Sequence, residues 1–410
     1  MPRRVRAVVR YLGLAAAFIL PACASITEVP HLPVAPGQAA GNPSASASAT
    51  SAPTPTVIVI GVEATPTLCT VDNILATWNL TRLAEQTVVI PVDETNVLSI
   101  RAEVAAGAGG VILFGSYAPA NLGAQLQSLD AAAPGGLAPF IMTDEEGGVV
   151  QRMANLVGSI PSPREMGATM SPAQIQQRAT GLAQRMRAAG VTMDLAPVLD
   201  VDGGQGPNNF DADGTRSFSA NVGIASNDGV AFATGLLAGG ITPVVKHFPG
   251  LGGAAGNTDV VAAATLPWSQ LQSGGLRPFE AAIAANVPAV MIANATVPGL
   301  SSLPASISPT VINGVLRQQL GFHGLVITDS LSAVAISSAG YSVPQAAVAA
   351  LRAGADMVLY NAGPSSVAQL TDQTVAAIVA AVNTGALSRA ALQSSVARVL
   401  AAKSVKLCAA

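Results

Sequence analysis

Eight short apolar runs, separated by stretches long enough to form helices, constrain this chain more than any other feature. They are TVVIPV (87–92), GVILFG (110–115), PFIMT (139–143), VTMDLAP (191–197), ITPVVKH (241–247), VPAVMIAN (287–294), GLVIT (324–328) and ADMVLY (355–360). Runs with no polar alternation need cover on both faces, as buried parallel strands have. The segments between them carry helix signals. SPAQIQQRATGLAQRMRAAG offers Ser171 as an N-cap and Gly190 as a C-cap, and SVPQAAVAALRAGA leads into the last run. Strand–helix repetition to a count of eight predicts an α/β fold, a single (β/α)8 barrel of the TIM type.

Half of the 410 residues are hydrophobic, enough to bury a sizeable core and to exclude disorder of the whole. The formal charge of −3 arises from 20 basic and 23 acidic residues, with no basic run beyond the extreme N-terminus. Nucleic acid is therefore excluded as a partner class. With four Tyr, two Trp and nine Phe, ligand recognition has to rest on polar side chains and backbone.

Residues 1–23 have the design of an export signal: Arg3, Arg4, Arg6 and Arg10 precede a short apolar stretch that ends at Leu20. The stretch is too short for a comfortable transmembrane helix. LPAC resembles a bacterial lipoprotein processing site, which makes Cys23 the residue that is lipidated and anchors the chain to the outer face of the membrane. A plain cleaved signal or an uncleaved anchor are the alternatives. Residues 24–57 are mostly Ala, Ser, Pro, Thr and Gly and read as a flexible tether, which leaves 58–410 for the barrel domain. Cys69 and Cys408 lie near the two ends of that domain. In an oxidising compartment a disulfide between them would staple neighbouring first and last elements; two unrelated thiols are the other reading.

Barrel enzymes carry their chemistry on the loops that follow the strands. TDEEGGVVQR follows the third run, LDVDGGQGPNNFDADGTRSFS the fourth, KHFPGLGGAAGNTD the fifth and TDSLSA the seventh, so nearly every polar cluster falls on one face of the expected barrel.

DEEGGVVQR (144–152), APVLDV (196–201), GTRSF (214–218), KHFPGLG (246–252) and GLVITDSL (324–331) together resemble, in order and placement, the signatures of glycoside hydrolase family 3. The resemblance covers roughly residues 58–403. It implies hydrolysis of a β-linked sugar with retention, typically by short β-N-acetylglucosaminidases acting on cell-wall fragments, without metal or organic cofactor. The chain ends before the second sandwich domain that longer members carry. The resemblance makes Asp329 the nucleophile; taken alone, an Asp at a strand end also fits as the N-cap of a helix starting near Leu331. It likewise makes Asp144, Arg152, Arg216, Lys246 and His247 the substrate-binding set, each of which taken singly also fits a structural ion pair at a barrel rim.

One part of the pattern breaks. Where short family members have Asp-Ser-His, supplying the acid/base histidine, this chain has Asn257, Thr258 and Asp259. The remaining histidines, His31 in the tether and His323 just before the seventh run, do not replace it. Either Asp259 serves as the general acid, brought in by a loop with Gly252, Gly253 and Gly256, or the barrel binds a carbohydrate with little turnover. Val149, Leu251 and Asn294 stand where arginine, histidine and histidine are usual, which removes positive charge or hydrogen-bonding capacity.

Overall fold

The computed structural model describes residues 70–405. All of the described residues belong to one compact unit. The expected signal (1–23) and tether (24–57), with Cys23, and the expected pair Cys69 and Cys408 lie outside the described residues.

All eight apolar runs form strands: β1 (Val88–Asp93), β2 (Gly110–Phe114), β3 (Phe140–Thr143), β6 (Met193–Asp194), β7 (Thr242–Phe248), β8 (Ala289–Ile292), β9 (Leu325–Thr328) and β10 (Val358–Leu359). A two-stranded hairpin, β4 (Glu145–Gly147) with β5 (Val150–Gln151), is inserted after β3. The large sheet runs β10-β1-β2-β3-β6-β7-β8-β9, parallel throughout. A parallel bridge between Ile327 and Met357 joins its two edges, so the ring closes as expected.

Two apolar layers account for the unbroken runs. Val89, Ile112, Met142, Met193, Leu195, Val244, Met291, Ile327 and Met357 fill the inside of the ring. Their strand neighbours Val88, Ile90, Val111, Ile141, Val245, Val290 and Val326 face outward under the helices. Each such side chain contributes about 1.5–3 kcal/mol by leaving water.

The fourth and eighth strands are shorter than their apolar runs. Pro197 has no amide hydrogen to give, and the ladder beyond β6 continues as separate bonds: Val244 N to Ala196 O at 3.2 Å, Lys246 N to Pro197 O at 3.1 Å and Leu199 N to Lys246 O at 2.6 Å. Beside β10, the Asp356 side chain takes part of the ladder's role by accepting the Val326 amide at 2.8 Å. Arg317 and Arg398 each hold that carboxylate at 2.7 Å.

Helix boundaries follow their caps. Ser171 and Gln174 form a reciprocal capping box at the start of helix Pro172–Ala188, and Ala189 takes the C-cap while Gly190 follows with φ of +92°. Ser342 and Gln345 cap helix Val343–Ala353 in the same way. No helix among the described residues is long and apolar enough to cross a membrane.

Candidate active site

The strand ends bring the polar clusters to one cavity of about 500 Å³, floored by Ile112, Leu195, Met291 and Leu359 from inside the barrel. Asp144, Arg152, Arg216, Lys246, His247, Asp259 and Asp329 all line it.

Lys246 extends from β7 to Asp144 and Glu146, at 2.7 Å from each carboxylate. Asp144 and Glu146 are two residues apart in extended chain, so both point to the same side. Arg216 holds Glu146 through two bonds of 2.8 Å and reaches the Ala212 carbonyl at 2.9 Å. Arg152, at 3.6 Å from Asp144, lies over the Phe114 ring at 5.8 Å. Burial works against ionising Asp144, but Lys246 and Arg152 outweigh it and hold the carboxyl below its usual range. Burial likewise opposes charge on Glu146, and Arg216 and Lys246 overcome it more strongly still. Lys246, although buried, is kept cationic by Asp144 and Glu146.

Gly147 and Gly148 let the chain turn back directly after these carboxylates. Both have positive φ, +103° and +60°, and a side chain on Gly148 would strike Ser162. The adjacent Glu145 turns away from the cavity and binds the Met153 amide at 2.6 Å and the Gln151 side chain at 3.0 Å, which fixes the hairpin.

His247 follows Lys246 across a cis peptide bond. Its Nδ1 lies 2.6 Å from Asp200 Oδ2 and 3.9 Å from Asp213 Oδ1. Burial, then the nearby Arg216 charge, lower its pKa to about 4, so the ring is neutral near pH 7. Burial raises Asp200 to about 7. Burial and the Asp200 carboxylate push Asp213 well above the usual range. Asp200, Asp213 and His247 each offer a ligand atom, all within 4.8 Å of one another, the arrangement among the described residues that suits a metal ion.

Asp329 stands directly after β9. Its Oδ1 accepts the Ser330 amide at 2.6 Å. Helix Val334–Ser338 starts later than expected, with Ala333 at its cap, so Asp329 is not a helix N-cap. Asn294, after β8, donates to Ser330 O at 2.7 Å and accepts from Ser306 at 2.6 Å, which ties down the peptide beside Asp329. Burial raises the Asp329 carboxyl; His247 opposes that rise, and Asp259 adds to it.

Asp259 lies at the exposed rim, and its loop is pinned rather than free to swing. Asn257 N donates to Asn209 O at 3.1 Å, and Asp259 N to Asn257 Oδ1 at 3.0 Å. The carbonyls of Thr258 and Asp259 accept the amides of Ala335 and Val334, at 3.1 and 3.3 Å, capping the helix that follows Asp329. Gly252 is a close-packing position, since a side chain there would meet Val201 O. Desolvation raises the Asp259 carboxyl against the pull of Arg216 and Lys246.

The sequence reading assigned no role to Glu146, Asp200 or Asp213. Glu146 was findable, because it repeats Asp144 at the two-residue period of extended chain. Asp200 stood inside a recognised motif, but its partner His247 comes from another strand.

The Glycosyl hydrolase family 3 N terminal domain model matches residues 98–402. The Beta-hexosaminidase LpqI of Mycobacterium tuberculosis is 34% identical over 286 residues, 67% of this chain and 70% of that protein. An uncharacterized secreted glycosyl hydrolase of Arthroderma benhamiae is 34% identical over 306 residues, 72% of this chain and 84% of that one. The crystal structure of the Beta-N-acetylhexosaminidase from Beutenbergia cavernae superposes with a TM-score of 0.72 at 31% identity, covering 80% of this chain and 100% of that one. Barrel, cavity and matched residues agree on one conclusion: this chain belongs to glycosyl hydrolase family 3.

Proposed function

We propose that this protein is an exported retaining β-hexosaminidase that removes terminal β-linked N-acetylglucosamine from cell-wall glycan fragments. The observation that carries this reading is that Asp329 and Asp259 line one cavity with the ion network of Asp144, Arg152, Arg216 and Lys246. Relatives named for hexosaminidase activity support the substrate class.

Asp329 attacks the anomeric carbon and forms a glycosyl-enzyme while Asp259 protonates the departing oxygen; Asp259 then takes a proton from the water that releases the sugar. Burial raises both carboxyls, and Asp259 adds to the rise at Asp329, so the two share the roles: one keeps the proton and the other stays charged. The Ser330 amide favours the charged form at Asp329, which leaves the proton to Asp259. Asp144, Arg152, Lys246 and His247 bind sugar hydroxyls, and Arg216 acts by fixing Glu146.

Export accords with the N-terminal residues and with a relative described as secreted. Lipidation of Cys23 holds the enzyme at the outer face of the membrane.

Turnover of a chromogenic β-N-acetylglucosaminide, beside a panel of other glycosides, tests the reading. Activity on that substrate above the others, lost in Asp329→Asn, supports it. Equal background in both proteins, with sugar binding retained, makes the chain a carbohydrate-binding lipoprotein instead, the reading that the missing acid/base histidine favours.

A further inference from the structure

The loop after β6 repeats a short pattern: Asp200-Val201-Asp202-Gly203 and Asp211-Ala212-Asp213-Gly214. In each copy one aspartate shapes the backbone. Asp202 accepts the Gly204 amide, and the Gly253 amide at 3.0 Å. Asp211 accepts the amides of Gly206, Asp213 and Gly214 at 2.7, 3.2 and 2.9 Å. The other aspartate of each copy turns toward His247. Asp200 accepts the Leu251 amide at 2.6 Å and faces His247 Nδ1 at 2.6 Å. Asp213 brings Oδ1 to 3.9 Å from the same nitrogen, and this buried oxygen has no hydrogen-bond partner. Asp213 is 1% exposed and Asp200 0%.

Charge balance makes the arrangement costly as it stands. Lys246 is engaged by Asp144 and Glu146, and Arg216 by Glu146, reaching Asp213 Oδ1 only at 3.9 Å. Two buried carboxyl groups therefore converge on one imidazole nitrogen, and the one arginine among the described residues that reaches either of them, Arg216, stands 3.9 Å from Asp213.

We propose that Asp200, Asp213 and His247 form a binding site for a divalent first-row cation, with zinc the best match. One imidazole nitrogen with two carboxylate oxygens is a borderline donor set that suits zinc, whereas calcium and magnesium sites are built from oxygens. Asp213 also lines a neighbouring cavity of about 310 Å³ with Asp202, Asp211 and Phe210, which shares Ala212 and Leu251 with the main one. That acidic wall gives a cation its way in. Ligation through His247 Nδ1 leaves the one proton of the neutral ring on Nε2, facing the main cavity, and any proton held by Asp200 or Asp213 is released to solvent as the cation takes its place. The proposal does not depend on which glycan is hydrolysed.

The test uses the full-length chain, stripped with a chelator and titrated calorimetrically with zinc chloride in buffers of different ionisation heat. Wild type takes up zinc with proton release, and Asp213→Asn weakens one equivalent by at least ~100-fold, the upper range for losing even an outer partner of a metal. Without zinc, Asp213→Asn melts no lower than wild type, because it removes an uncompensated buried carboxyl. Cobalt replaces zinc in a parallel spectrum of the wild type, so that ligation by this site is told apart from uptake by any of the three cysteines of the chain. Visible cobalt bands without a near-ultraviolet thiolate band support the site even where the variant fails to fold. No uptake by wild type, equal uptake by Asp213→Asn, or a purely thiolate cobalt spectrum overturns it.

Discussion

Glu146 and Arg216 meet through two parallel bonds of 2.8 Å, from residues 70 positions apart in sequence. The pair forms part of the cavity wall with the Glu146 side chain fully buried, so removing one partner strands a charge. Glu146→Ala is expected to cost about 3–5 kcal/mol in denaturant unfolding. Arg216→Lys should recover little of the loss from Arg216→Ala, since an ammonium cannot reproduce the two-pronged contact. Full recovery by lysine would show that only charge matters there.

Asp259→Ala separates acid catalysis from nucleophilic attack. Hydrolysis of an unactivated disaccharide should fall by roughly 10²–10⁴-fold, while a substrate with an acidic phenol leaving group keeps its glycosylation rate, visible as a burst in stopped-flow measurement. Equal losses on both substrates would remove Asp259 from the acid role.

Val334 N donates to the Asp259 carbonyl at 3.3 Å and is the first residue of its helix. Proline is well suited to that position, and Ala333 already has the extended conformation (ψ of 145°) that proline requires of its predecessor. Val334→Pro therefore deletes one hydrogen bond with little disturbance of the fold. An unchanged melting temperature with kcat on the disaccharide lowered about 10-fold is expected if this tether holds the acid in place. Unchanged kcat would locate the restraint elsewhere.

Burial raises Glu145 from 4.5 to about 7, despite hydrogen bonds from Met153 and Gln151. A carboxyl that holds its proton more tightly when folded stabilises the protein fully at pH values below its unfolded pKa, and loses that contribution as pH rises through the folded value. Unfolding free energy should thus carry a declining component between pH 4.5 and about 7, on the order of 3 kcal/mol. Glu145→Gln keeps the shape of the protonated form and should flatten that component. An unaltered pH profile in the variant would exclude Glu145 as its source.

The eight strands were readable because residues such as Val88 and Val89 are both buried, on opposite faces, and leave an apolar run without alternation. Length was not, because Pro197 and the Asp356 side chain alter hydrogen bonding without changing hydropathy. The cavity-lining residues were legible where motif and strand end coincided, as at Lys246 and Asp329. Asp200 and Asp213 were not, since their meaning lies in sharing His247 across 47 and 34 positions of chain, and local pattern carries no sign of that. Loop glycines misled in one respect: Gly252 suggested freedom, but its missing side chain instead lets the loop approach Val201.

Lys246 on β7 has both its carboxylate partners just after β3, with β6 lying between the two strands. Neither half of the chain therefore owns the pocket: cut between residues 152 and 216, one piece would hold Asp144, Glu146 and Arg152 and the other Arg216 and Lys246. Catalysis ought to appear abruptly during refolding, in step with the final shutting of the ring, and neither piece of a barrel cut in that interval should be active by itself.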